Sequence, residues 1–183
     1  MEIVKQKTNI KILKTIFVIF IGTVLLTLSA KIKIPFYPVP MTMQTFIVLL
    51  MGIAFGWKIS VLTISAYLLE GIAGLPVFAG TPEKGIGLIY FTGPTMGYLI
   101  GFLVATFFAG YINFRTNFFL IFIKLIFCVA TIYILGIFWL GFLIGWDKPI
   151  LQLGVMPFML AELFKILLLT LLTNKIIKLR KFI

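Results

Sequence analysis

Two charged residues, Glu162 and Lys165, lie within the otherwise almost wholly apolar run 156–173 near the C-terminus. On a helix, residues three positions apart share one face, so the carboxylate and the ammonium group would be neighbours. Placing either charge at the centre of a membrane costs about 2.5–3.5 kcal/mol on insertion scales, and membrane segments rarely keep such residues without a function. The pair is therefore the first candidate for a functional site. The alternative interpretation is a structural ion pair that only neutralises itself.

The composition is that of a membrane protein. Of 183 residues, 62% are hydrophobic and 11% are charged, whereas roughly a quarter of a soluble domain is charged. The length suits a single integral-membrane domain over 1–183, with spans of ~20 apolar residues each. Histidine is absent and Cys128 is the single cysteine, which excludes a disulfide framework and metal or haem sites built on histidine.

Catalytic motifs are missing as well. The sequence contains neither a Gly-x-x-x-x-Gly-Lys-Ser/Thr loop nor a Gly-x-Ser-x-Gly elbow, so it offers no P-loop for ATP and no hydrolase nucleophile. Without histidine, a Ser–His or Cys–His pair is impossible. We therefore expect no enzyme, no cofactor and no metal.

The net charge of +11 follows a topological pattern and does not indicate a nucleic-acid partner. Basic residues cluster before the first apolar run and after the last, which predicts that both termini are cytoplasmic and that the number of spans is even. Membrane lipid is the expected surrounding. The ten basic residues predicted to be cytoplasmic are Lys5, Lys7, Lys11, Lys14, Lys58, Arg115, Lys175, Lys178, Arg180 and Lys181, against four outside, Lys31, Lys33, Lys84 and Lys148.

Hydropathy predicts an all-α protein with six transmembrane helices. A link with three prolines, 34–40, separates the first two spans, and Gly56-Trp57-Lys58 forms a tight turn between the second and third. The glycine-rich stretch 74–92 is too broken for a span and too apolar for a solvated loop, so we expect a lid over a cavity. The predicted spans are about 12–30, 41–55, 59–71, 93–112, 118–140 and 151–174.

Two further features have competing interpretations. Gln44 lies in the first turn of the second helix, where its side chain could satisfy free backbone groups or point into a cavity. Gly93, Gly97 and Gly101 recur every four residues on the fourth helix. Their spacing favours close helix–helix packing over direct ligand contact.

Four stretches, in this order along the chain, resemble the signature segments of the BioY family, the biotin-binding S components of energy-coupling-factor (ECF) transporters. Together they span residues 38 to 165, and in the last of them Leu160-Ala161-Glu162 stands where the family usually has Pro-Gly-Asp. The four stretches are Pro38-Val-Pro-Met-Thr-Met-Gln-Thr45, Gly74-Leu-Pro-Val-Phe-Ala-Gly80, Gly93-Pro-Thr-Met-Gly-Tyr-Leu-Ile-Gly-Phe102 and Pro157-Phe-Met-Leu-Ala-Glu-Leu-Phe-Lys165.

The resemblance implies a six-helix protein of the bacterial cytoplasmic membrane that holds biotin in an outward-facing cavity under loop lids. It also implies a partner module of two ATPases and a transmembrane coupling protein. Glu162 would accept a hydrogen bond from a ureido N–H of biotin, and Lys165 would pair with the carboxylate of biotin. The full set of expected substrate-binding residues is Glu162, Lys165, Gln44, Phe78, Gly80 and Tyr98.

Two alternatives remain open at this point. The same scaffold could bind another vitamin or a small carboxylate. In a different class, the chain could be a non-transporting membrane assembly protein whose glycine faces serve packing alone.

Overall fold

The structure is a computed structural model that describes residues 2–35, 37–80 and 87–182, with side chains from Asn9 onward. Most of it is helical, and a short antiparallel hairpin pairs Lys33 with Thr42 and Ile34 with Met41. The helices are α1 (Glu2–Lys31), α2 (Gln44–Ile72), α3 (Leu88–Phe91), α4 (Met96–Tyr111), α5 (Phe118–Ile144), α6 (Ile150–Gly154) and α7 (Met159–Ile176); the strands are β1 (Lys33–Ile34) and β2 (Met41–Thr42); 3-10 turns cover Met156–Phe158 and Ile177–Phe182.

Helix α2 folds back on itself at Gly56. The backbone there has φ 76° and ψ 168°, a conformation that glycine adopts readily because it has no Cβ. The Gln44 amide donates to the Tyr67 hydroxyl at 2.8 Å, although a straight helix would separate these residues by roughly 35 Å. Helix α2 therefore consists of two antiparallel arms, 44–55 and 57–72. The reversal falls where the sequence predicts a turn.

Helix α4 packs on α5 through backbone contact. A methyl group added at Gly101 would lie 2.7 Å from the Ile132 Cα, and one at Gly97 would overlap the Leu135 carbonyl. Small residues at such positions let membrane helices approach closely. Gly97 and Gly101 are thus packing positions.

Helix α4 begins at Met96, three residues later than the predicted start at 93. Gly93 and Pro94 precede the helix, and the Gly93 carbonyl accepts a hydrogen bond from the Trp139 indole at 2.8 Å. This bond ties the segment before α4 to α5. Gly93 therefore does not belong to the packing face of the helix.

The last predicted span, 151–174, is not one continuous helix. Helix α6 ends at Gly154, Val155 leaves helical geometry with φ −131° and ψ −57°, and α7 starts at Met159. Pro157 explains the break, because proline lacks an N–H donor and restricts the residue before it. Consequently Glu162 lies in the first turn of α7 and not in mid-helix. The positive end of the helix dipole stabilises a carboxylate there.

The outward surface is strongly apolar, and the chain is a membrane protein. Large side chains such as Phe142, Leu160 and Phe164 are more than half exposed, as expected where lipid replaces water. Met96–Tyr111 is a shorter apolar helix. Among the described residues, the stretches long and apolar enough to cross a membrane are Asn9–Lys31, Gln44–Ile72, Phe118–Ile144 and Ile150–Phe182.

The bundle has two distinct ends. At the terminal end, Lys14 in the N-terminal half of α1 donates to the Phe182 carbonyl at 3.0 Å, so the first helix and the C-terminal segment meet. At the other end, which we call the cavity end, Lys31 closes α1 and Gln44 opens α2. The residues expected to bind substrate lie at the cavity end.

Candidate functional site at the cavity end

The predicted ion pair is formed and buried. The Lys165 Nζ lies 2.7 Å from the Glu162 Oε1, and both side chains are less than a tenth exposed. The same ammonium group donates to the Thr42 carbonyl at 2.6 Å and to the Thr45 hydroxyl at 3.0 Å. An ammonium group has three N–H donors, so each donor of Lys165 has an acceptor within the protein.

The two oxygens of Glu162 differ. Oε1 accepts from Lys165 and from the Thr45 hydroxyl, the latter at 2.9 Å. Oε2 is buried and has no hydrogen-bond partner among the described residues. A buried carboxylate oxygen without a donor costs free energy, so Oε2 is the atom of this pair that is suited to accept from a ligand.

Glu162 lies on the wall of an inner cavity of about 50 Å³, and Lys165 lies behind it. Small-molecule pockets usually measure roughly 300–1,000 Å³, so the inner cavity must expand to take a ligand of that class. The wall combines aromatic and aliphatic side chains with a few polar groups. Its residues include Thr42, Gln44, Thr45, Phe78, Ala79, Tyr90, Thr95, Tyr98, Phe102, Tyr133, Phe158 and Glu162.

Gln44 connects the start of α2 to the loop after it. Its amide oxygen accepts from the Thr42 hydroxyl at 3.2 Å, and its amide nitrogen donates to the Tyr67 hydroxyl. The Tyr67 hydroxyl in turn donates to the Val77 carbonyl at 3.0 Å. Of the two interpretations of Gln44, the structure shows a side chain on the cavity wall that bonds to side chains, not to backbone.

Phe78 covers the inner cavity from the loop that follows α2. Its ring lies against the bare face of Gly71 and stacks on Tyr90 with 4.8 Å between ring centroids. The Tyr67 and Phe91 rings contact it edge-on at 5.3 and 5.5 Å. Such aromatic contacts each contribute about 0.5–1.5 kcal/mol beyond area burial.

Tyr90, which stacks on Phe78 over the inner cavity, remains a neutral phenol. Burial raises the pKa of Tyr90, while smaller effects from hydrogen bonds with Thr95 and the Gly80 backbone oppose that shift. A neutral hydroxyl both donates and accepts a hydrogen bond. The Tyr90 hydroxyl is therefore a polar group at the place where Phe78 and its aromatic neighbours meet the inner cavity.

Tyr98 supports the opposite wall. Its hydroxyl donates to the Gly154 carbonyl at 2.8 Å, and its ring packs on Gly136 and edge-on against Tyr133 at 5.9 Å. Tyr133 also interacts electrostatically with the Glu162 carboxylate. These contacts link α4, α5 and the break before α7 around the inner cavity.

A second, outer chamber of about 560 Å³ adjoins the inner cavity. Gly80 lies on the wall of this chamber and not on that of the inner cavity. Four residues, Pro40, Ala79, Tyr90 and Thr95, belong to both walls. The other residues of the outer wall are Lys33, Pro35, Tyr37, Pro38, Gly80, Gly93, Pro94, Leu143 and Ile144.

Two lysines hold the loop of Phe78 against the bundle. Lys31 donates to the Pro76 and Phe78 carbonyls at 2.7 and 2.8 Å, and Lys33 donates to the Ala79 carbonyl at 2.6 Å. These are charge-assisted bonds, which are shorter and stronger than neutral ones. Within the predicted lid 74–92, residues 81–86 lie outside the part that the structure describes.

Sequence reasoning missed several residues of the site. Thr42 and Thr45 stand inside one of the motifs quoted above, so that motif could have pointed to them. Tyr67 and Tyr133 lie in apolar helices where periodicity does not distinguish a cavity wall from ordinary core. They became recognisable only once the folded helices brought them to Gln44 and Glu162.

The comparisons with known proteins agree with one another. The sequence profile of the BioY family matches residues 4–182. The chain is 34% identical over 152 residues to the "Probable biotin transporter BioY" of Pyrococcus horikoshii, covering 83% of this chain and 89% of that protein. It is 35% identical over 160 residues to the "Biotin transporter BioY" of Thermotoga maritima, covering 87% and 93%.

A solved structure extends the likeness from sequence to fold. It is the crystal structure of the S-component for biotin from an ECF-type ABC transporter, and it superposes with a TM-score of 0.77 at 26% identity. The superposition covers 93% of this chain and 94% of the solved one. Fold, cavity and sequence together show that this chain is a member of the BioY family.

Proposed function

We propose that this chain captures biotin and delivers it across the cytoplasmic membrane as the S component of an ECF-type transporter. The observation that carries the proposal is the buried Glu162 on the inner cavity wall, with Oε2 lacking a partner among the described residues. Biotin offers ureido N–H donors, an apolar thioether ring and a carboxylate. Aromatic walls with one unpaired acceptor suit the ring and the ureido group.

The residue roles belong to the proposal. Glu162 accepts from a ureido N–H, while Gln44, Phe78 and Tyr98 contact the ligand from the inner wall and Gly80 from the outer one. Lys165 lies behind Glu162 and holds the Glu162 carboxylate in position. It reaches the ligand directly only by exchanging one of its three protein partners.

Membrane topology is a further part of the proposal. The two arms of α2, together with α1, α4, α5 and the segment from α6 through α7, supply six crossings of a single domain over 1–183. Both termini would lie in the cytoplasm and the cavity end outside, an arrangement supported by the ten basic residues on the terminal side.

Cysteine labelling tests this topology. On a Cys128→Ala background, a Thr81→Cys variant is expected to react with a membrane-impermeant thiol reagent only from the outside. Asn113→Cys, at an exposed position in the turn before α5, serves as the matched control for the cytoplasmic side. Labelling of Thr81→Cys only from the cytoplasm would reverse the proposed orientation.

The loop 74–92 is proposed to act as a lid that orders around the ligand. Its described part is held by side-chain bonds to loop carbonyls, and opening it would let the inner cavity expand. Ordering a lid costs conformational entropy that ligand contacts offset. Hydrogen exchange of 74–80 and 87–92 should slow with saturating biotin more than exchange in α5; equal rates with and without biotin would exclude a lid.

Biotin titration tests the function itself. The purified protein is titrated with biotin while tryptophan fluorescence or heat is followed, and saturable binding is expected. Glu162→Gln should weaken binding, whereas Glu70→Gln, a carboxylate at the same end but off both described cavities, should not. A folded protein that binds no biotin would overturn the proposal.

The energising module completes the proposal. A chain that lacks a P-loop needs another source of energy for uphill uptake. By resemblance, that source is two ATPases and a transmembrane coupling protein. Uptake of biotin by cells that express this chain with and without the module measures the dependence.

A further inference from the structure

We propose that Lys33 is the cation that receives the carboxylate of the ligand, in the outer chamber, so that a monocarboxylate is bound with its charged end at the chamber and its N–H donors at Glu162. This inference rests on the proposed function and deepens it. It assigns the charged end of the ligand to a residue outside the buried ion pair.

The Lys165 ammonium group has no donor left for a ligand carboxylate. All three donors of Lys165 are taken by Glu162, Thr45 and the Thr42 carbonyl. A ligand carboxylate at Lys165 would also lie beside the Glu162 carboxylate. Like charges in a site of low dielectric repel each other, so the inner cavity disfavours a second anion.

Lys33 lies on the wall of the outer chamber. Among the described residues, Lys33 is the one basic residue on the wall of either cavity, and the outer chamber of about 560 Å³ is within the usual range for small-molecule pockets. Lys33 pairs with Thr42 across the β1–β2 hairpin, where paired residues stand about 4.5–5.5 Å apart. The Thr42 carbonyl binds Lys165. The hairpin thus holds Lys33 at a fixed distance from the Glu162–Lys165 pair. One extended ligand can therefore reach both Lys33 and Glu162.

Lys33 already binds the loop that separates the two cavities. Its ammonium group donates to the Ala79 carbonyl, and Ala79 belongs to the walls of both cavities. A carboxylate is a stronger acceptor than a neutral carbonyl. Because an ammonium group has three N–H donors, Lys33 can bind a ligand carboxylate in the outer chamber and keep its bond to Ala79, so that one residue holds both the ligand and the loop that separates the two cavities.

The test compares biotin with its primary amide, which has the same ring system and no charge. Wild-type protein should bind biotin about tenfold more tightly than the amide, as for one partly exposed charge-assisted bond. Lys33→Gln should remove this preference by weakening biotin alone, and Lys33→Arg should retain it. Lys31→Gln is the matched control, since Lys31 holds the same loop but lies on neither described cavity wall.

The outcomes separate the two proposals. If Lys33→Gln keeps the preference for biotin, or weakens biotin and the amide equally, Lys33 does not receive the carboxylate and the inference is wrong. If instead Lys165→Ala abolishes the preference while Lys33→Gln keeps it, the carboxylate binds at the ion pair. If wild-type protein binds neither compound, the proposed function itself fails.

Discussion

The loop that covers the cavity end is held to the bundle differently from the helices that meet at the terminal end. At the cavity end, lysine and tyrosine side chains bind loop carbonyls, as Lys31 does at Phe78 and Tyr67 at Val77. At the terminal end, Lys14 and Arg180 also bind carbonyls, but the helices in addition touch backbone to backbone. A methyl group added at Gly110 would lie 2.6 Å from the Gly56 carbonyl carbon and would overlap Trp57.

This difference determines which end can open. A side chain can exchange one acceptor for another at little cost, whereas two backbones in direct contact separate only if whole helices move. Interiors packed in this way resist small displacements. We therefore expect ligand-linked motion at the cavity end and a fixed terminal end, and each of the following predictions tests one side of that comparison.

The largest effect is expected from removing the buried carboxylate. Glu162→Ala leaves the Lys165 ammonium buried without its counter-ion, which costs about 3–5 kcal/mol of folding free energy. Thermal or denaturant unfolding in detergent measures the loss. Glu162→Gln keeps the shape and should lose less stability, while still weakening biotin binding; equal stability of the Ala variant and wild type would mean that the pair is not buried as described.

Lys165→Ala should weaken biotin binding by about 1.5–3 kcal/mol, because the Glu162 carboxylate loses the ammonium group that holds Oε1. If Lys165 acts by positioning, the biotin amide is weakened by the same factor. Titration of the folded variant with both compounds gives the answer. Unchanged affinity for biotin would remove Lys165 from the site.

How much could be predicted from the sequence differs between these two ends. Hydropathy and the turn at Gly56 predict the order of the helices, because apolar length and glycine conformation are local properties. The partners of Glu162 and Lys165 could be predicted only in part. Their i, i+3 spacing gives the ion pair itself, but the Thr42 carbonyl is 123 positions from Lys165 in the chain.

The break before α7 could also be predicted only in part. Pro157 is visible in the sequence, yet hydropathy continues across it and favours one span over 151–174. The backbone restriction of proline outweighs that apolar continuity. The sequence predicts a cavity under the loop 74–92 but not its division into two chambers on either side of Tyr90, since that division depends on how the loop after α2 packs on Gly71.

A matched pair of glycine substitutions tests the terminal end and the cavity end separately. Gly110→Ala forces a methyl group into the backbone at Trp57 and should cost about 1–3 kcal/mol of stability with biotin affinity unchanged. In Gly71→Ala, the added methyl group meets the Phe78 ring, which can shift with its loop. This substitution should therefore change the affinity for biotin more than the free energy of unfolding. Unfolding and titration are measured on both variants. The comparison would be contradicted if Gly110→Ala changed mainly the affinity and Gly71→Ala mainly the stability.

The smallest effect is expected from Arg180, which lies at the terminal end. Its guanidinium donates to the Ile53 carbonyl at 2.8 Å and to the Gly110 carbonyl at 3.2 Å, near the ends of the first arm of α2 and of α4. The last carbonyls of a helix have no partner within it, and a cation there also complements the helix dipole. Because the side chain is half-buried and water or lipid headgroups can replace it in part, Arg180→Gln should cost about 1 kcal/mol of unfolding free energy.

Lys178→Gln removes the same charge two residues away from an exposed position and serves as its control; it should leave stability nearly unchanged. Neither substitution should alter the affinity for biotin, since the carbonyls that Arg180 binds lie at the end opposite the cavity. Thermal unfolding and biotin titration of both variants measure these effects. A loss of affinity in Arg180→Gln larger than its loss of stability would show that the two ends are coupled, and the terminal end could then no longer be regarded as a fixed base for a moving lid.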